Sequence, residues 1–171
     1  MQNDALANGG AGRKLLLSRS AVMERYFFIA DISAKTFACY AQRMTQHIKT
    51  GLCLFFALFF VVAGISHFTA VDTFAAIVPP LLPFPILIVW VTGIMEIAMG
   101  IMLLCPHFRP RVGVLLGLFL LAVLPANIYM AIAGVPFGDT VASPAALWIR
   151  VALQLPLIAL IYWATRAARP S

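Results

Sequence analysis

The run GLCLFFALFFVVAGISHF, from Gly51 to Phe68, decides what kind of protein this is. It carries no Asp, Glu, Lys or Arg, and Phe55, Phe56, Phe59 and Phe60 repeat at one-turn spacing, so a helix here is greasy on more than one side. At about 1.5 Å per residue it lies near the lower length limit for crossing about 30 Å of hydrocarbon. Three further apolar runs follow, from Phe84 to Cys105, Val112 to Val135 and Ala145 to Thr165, each long enough to span. The composition agrees: 63% of residues are apolar, 11% are charged, and the mean hydropathy is +0.97. A water-soluble domain is about half apolar and about a quarter charged. The expected fold is an all-α, integral membrane four-helix bundle. A cleavable signal peptide is the rival reading of the first run, but Lys49 stands far from the first methionine and no small-x-small site follows the phenylalanines.

The loops orient the bundle. Lys35, Arg43 and Lys49 precede the first span, Arg109 and Arg111 join the second to the third, and Arg166 and Arg169 follow the fourth. The other connections, Thr69 to Pro83 and Pro136 to Pro144, hold no Lys or Arg. By the positive-inside rule, the N-terminus, the loop between spans two and three, and the C-terminus are cytoplasmic. The implied home is a bacterial cytoplasmic membrane, with lipid as the first partner. The net charge of +6 thus reports topology; no nucleic-acid partner is expected. Trp90, Trp148 and Trp163 fall toward span ends, as interfacial anchors do.

Residues 1–49 differ in kind, being rich in Ala, Gly, Ser and charge, and they read as a poorly ordered cytoplasmic extension. The brief patch Tyr26-Phe27-Phe28-Ile29-Ala30 would permit a short amphipathic surface helix. Met44-Thr45-Gln46-His47-Ile48-Lys49, followed at once by the first apolar span, is an alternative start. Residues 50–165 form the membrane domain and residues 166–171 a cytoplasmic tail.

Cysteine usage argues against a membrane thiol oxidoreductase, which needs a reactive pair. Cys39, Cys53 and Cys105 are single, and Cys53 and Cys105 read as small buried apolar residues. His47, His67 and His107 lie on different segments without an i, i+4 ligand partner, so no metal site is expected. No haem-ligand pair, cysteine cluster or nucleotide motif is present.

The informative residues are the polar ones inside the spans: His67, Glu96, Asn127, Arg150 and Gln154. An intramembrane charge costs upward of about 2.5 kcal/mol, so Glu96 and Arg150, of opposite sign, are expected to pair. Glu96 lies about 18 Å along its span and Arg150 about 8 Å along its own, an offset that the arginine stem reduces. Gly93, Glu96 and Gly100 share a face that admits a close neighbouring helix. Pro125 and Pro156 free the carbonyls of Leu121 and Ala152, which Asn127 or Gln154 can satisfy. Two readings of this cluster stand side by side: glue for the bundle, or a ligand or proton site.

Five segments resemble, in order, the motifs of the DoxX family of small bacterial four-helix membrane proteins. They are Ala63-Gly64-Ile65-Ser66-His67-Phe68, Ile77-Val78-Pro79-Pro80-Leu81-Leu82-Pro83, Gly93-Ile94-Met95-Glu96-Ile97, Pro125-Ala126-Asn127-Ile128-Tyr129-Met130-Ala131 and Trp148-Ile149-Arg150-Val151-Ala152-Leu153-Gln154. Ala152 departs from the proline usual there. The resemblance covers roughly Gly51 to Thr165. It implies electron transfer near quinone, since some members are named as the membrane subunit of a thiosulfate:quinone oxidoreductase. The chain supplies no redox centre of its own, so quinone in the bundle or a partner redox subunit would have to provide one.

The expected function is therefore a membrane subunit that binds a lipophilic molecule, quinone favoured, in a pocket of His67, Glu96, Asn127, Tyr129, Arg150 and Gln154. Arg150 and Asn127 would donate hydrogen bonds to a carbonyl or acid group, and Glu96 would hold Arg150 and relay a proton. The alternative is a non-catalytic scaffold whose polar cluster only fixes helix packing. Solute transport is weaker, because four helices without an inverted repeat would have to oligomerise to form a path.

Overall fold

The computed structural model describes residues 4–136 and 143–166, with side chains from Met23 onward. The described residues are helical throughout their regular structure: α1 (Asp4–Thr69), α2 (Val71–Ala76), α3 (Pro85–Leu104), α4 (Arg109–Ala133) and α5 (Pro144–Thr165). Four of these are long and apolar enough to cross a membrane, the build of a multi-pass membrane protein.

The chain divides into a unit ending at Thr45 and a unit beginning at Gln46. The first is a stretch of α1. Residues 4–49, expected as a poorly ordered extension able to form a short amphipathic helix, are assigned to α1. The physical reason lies in the sequence: no proline precedes Pro79, and helix-tolerant residues run continuously into the first span. Within this stretch Lys35 pairs with Asp31 at 2.6 Å across one turn, and the Thr36 hydroxyl donates to the Ile32 carbonyl.

In the second unit the apolar runs become helices within a few residues of their expected ends. Proline marks the starts, at Pro85, Pro110 and Pro144, where its fixed φ suits the first turn and its missing N–H is not needed. The Ser143 side chain caps α5 by accepting from the Ala146 N–H, and Gly134 closes α4 at φ 62°. The short α2 lies in a connection expected to be a loop.

Small residues set the helix spacing. A Cβ on Gly64 would come within 2.7 Å of the Gly93 carbonyl oxygen, and one on Gly100 within 2.9 Å of the Ala57 carbonyl oxygen. So α1 and α3 meet backbone to backbone, as the small-residue face around Glu96 implied. On the other side α4 lies along α5, with Gly113 against Thr165. Phe56, Phe60, Leu103, Leu116, Phe119 and Ile161 fill one half of the bundle; Ile77, Met130, Ala131 and Leu147 form a smaller cluster near α2. Outward, Leu58, Ile94 and Leu155 are each more than half exposed, which suits hydrocarbon and would be a liability in water.

The basic residues at the end opposite α2 take up helix C-termini. Lys49 Nζ donates to the Arg166 carbonyl at 3.0 Å and sits 4.9 Å from the Trp163 ring centre, while Arg109 Nε donates to the Leu103 carbonyl at 3.0 Å. Cations there meet the negative ends of α5 and α3. Trp163 thus carries a cation as well as standing at a span end. Cys53 is buried, but Cys105 is exposed, correcting the expectation for it: it caps α3 in an extended conformation that turns it out of the bundle.

Candidate functional site

Each polar position inside the spans reaches the site through its helix face. On α3, Val89, Gly93, Glu96 and Gly100 fall at three- and four-residue steps and are all buried, so Glu96 points where the glycines point, toward α1. Because α1 approaches so closely at Gly93, a Cβ there would lie 2.8 Å from the Cβ of His67. That contact brings His67 beside Glu96: His67 Nδ1 is 3.4 Å from Glu96 Oε2, and both side chains are nearly nine-tenths buried.

The histidine's proton is already used. Nδ1 lies 2.9 Å from the Ala63 carbonyl oxygen, one turn back, and a carbonyl only accepts, so Nδ1 carries the proton and donates it there. Glu96 Oε2 consequently has no hydrogen-bond partner among the described residues. The imidazole is held flat by Phe74 of α2, with ring centres 3.9 Å apart and planes at 23°.

From the other pair of helices come Asn127 on α4 and Gln154 on α5. Asn127 Nδ2 donates to Gln154 Oε1 at 3.1 Å, and Gln154 Nε2 donates to the Leu120 carbonyl. The bonded carbonyl is one residue before Leu121, the one that Pro125 frees, so the glutamine reaches the loosened turn of α4 and the asparagine orients the glutamine.

Between the two helix pairs is a cavity of about 860 Å³, within the usual size range of small-molecule sites. Phe60, Phe119 and Leu120 form its floor, and Phe74, Ile77 and Val78 roof it at the α2 end. Its polar side chains are His67, Thr92, Glu96, Asn127, Arg150 and Gln154 against an otherwise apolar wall.

Five of the six residues expected at the site therefore line one cavity. Tyr129 does not: two residues beyond Asn127, it is turned about 200° around α4. The contact that the structure shows for Glu96 is also not the expected one with Arg150. His67 is the residue at ion-pair distance, because the glycine crossing brings α1 against α3, whereas Arg150 lies on an exposed part of the cavity wall. Asn127 donates within the protein, to Gln154. Thr92 and Phe74 are lining residues that the sequence reading did not place at the site. Thr92 had a signal, being polar and one turn from Glu96 on the same face; its hydroxyl bonds the Ile88 and Val89 carbonyls, both at 2.9 Å. Phe74 had none, since only the folding back of α2 brings it over His67. Among the described residues no three His, Cys, Asp or Glu side chains gather as a metal site.

A family model described as a domain of unknown function, DUF8561, matches residues 56–168, which takes in the whole cavity. No curated protein and no solved structure matches the chain.

Proposed function

The chain belongs to the DUF8561 family, a domain of unknown function, and we propose from the chemistry of its cavity that it holds a lipophilic molecule, quinone favoured, as a membrane subunit linked to a redox complex. The observation that carries the reading is the buried, unpartnered Glu96 Oε2 on the wall of an otherwise apolar 860 Å³ cavity. A buried polar atom without a partner costs about 1–3 kcal/mol or more, and a bound molecule removes that cost. The apolar wall suits a hydrocarbon-borne ligand, and the aromatic floor and roof suit a flat ring. The motif resemblance to the DoxX family supports the choice of quinone and of a partner redox subunit. In this reading the protein sits in a bacterial cytoplasmic membrane with both chain ends on the cytoplasmic side, as the loop charges argue, and the cavity lies in the outer half of the bilayer.

The test is an organic extract of the purified protein with a redox difference spectrum. Quinone at a substantial fraction of one per chain supports the reading. Its absence, together with no binding of added short-chain quinone or quinol to folded protein, overturns it.

One observation favours a second reading, a non-catalytic scaffold: the Asn127–Gln154–Leu120 chain is satisfied within the protein and ties α4 to α5. On that view the cavity is filled by lipid and the polar residues serve packing alone.

A further inference from the structure

One buried side-chain atom on the cavity wall has its hydrogen-bonding capacity unmet. Among the described residues, one buried side-chain nitrogen or oxygen lacks a partner, and it is an acceptor, Glu96 Oε2. Its neighbours His67 and Thr92 direct their protons elsewhere, and the other donors on the cavity wall, Arg150, Asn127 and Gln154, make no hydrogen bond to Oε2. His67 gives its Nδ1 proton to Ala63, and the Thr92 hydroxyl, one turn away on the same helix, gives its proton to the Ile88 and Val89 carbonyls. Across the cavity, Asn127 Nδ2 donates to Gln154, and Gln154 Nε2 to Leu120.

We infer that the ligand brings the missing donor: the site takes a lipophilic alcohol or phenol whose O–H points at Glu96 Oε2, and within a quinone couple it prefers the quinol. The inference rests on the ligand-binding reading above and deepens it. A carbonyl oxygen or an anion placed against Oε2 would set lone pair against lone pair, adding an unmet acceptor in a low-dielectric space. A hydroxyl satisfies the carboxyl oxygen and keeps its own lone pairs for another partner. The His67–Phe74 stack on one side and Phe60 and Phe119 on the other frame a place for the ring that carries the hydroxyl.

The experiment is an anaerobic titration of the full chain in nanodiscs with decylubiquinol and, separately, decylubiquinone, alongside a long-chain alkylphenol and its methyl ether. Decylubiquinol is expected to bind about tenfold tighter than decylubiquinone, and the phenol to exceed its ether similarly, the difference made by one hydrogen bond to a buried carboxyl oxygen. Glu96→Gln, which keeps the volume and adds a donor, should reduce both ratios to near one. The two wild-type ratios test the idea even if that variant does not fold. Equal affinities within both pairs, or tighter binding of the quinone, overturn the hydroxyl inference and leave the ligand-binding reading intact. No binding of any of the four probes to folded protein overturns both.

Discussion

At the scale of single residues, the arrangement depends on side chains that are missing as much as on those present. Gly64 and Gly93 let two backbones touch, and that contact alone places His67 against Glu96. Gly64→Ala should destabilise the bundle by about 1–3 kcal/mol, because the added methyl meets a backbone carbonyl that cannot rotate away. Thermal unfolding in detergent reads this, and an unchanged midpoint would mean that the helices stand further apart than described. Gln154 is the second such residue. Gln154→Leu leaves the Leu120 carbonyl and the Asn127 amide without their partner, at about 0.6–2 kcal/mol. Adding Asn127→Leu should cost little more, so a double-mutant cycle is expected to be strongly non-additive; simple additivity would show that the two amides act apart.

At the scale of elements, the spans were legible because 18 to 25 apolar residues ended by proline admit few other structures. The short α2 was not, since six residues are too few to show a helical period and read as any short connection. Yet α2 supplies Phe74, the lid over His67. Phe74 is only partly buried against the Ile77 cluster, so Phe74→Ala should cost about 1 kcal/mol of stability and leave the bundle folded, while weakening probe binding about tenfold through loss of the stack. Equal binding by the variant, measured in the same nanodisc titration, would remove α2 from the site.

For the whole molecule, the proposed orientation puts the α2 end outside and the Lys49, Arg109 and Arg166 end inside. A single cysteine at Leu81, almost fully exposed, should react with an impermeant thiol reagent in intact cells, and one at Arg109 should not, once the native cysteines are replaced. The reverse pattern would invert the bundle and move the cavity to the inner leaflet. The helical architecture follows from the chain's composition alone. Hydrocarbon satisfies no backbone polar group, so long uncharged runs must be helices. The sequence also marked five cavity residues, because a polar side chain is conspicuous in such a run. Which of them meet emerges from the packed helices: Glu96 stands beside His67, Asn127 serves Gln154, and Tyr129 faces elsewhere. Partnership depends on where two helices cross and on the rotation of each about its axis. Those are set by glycine contacts between segments distant in the chain, which no local pattern records.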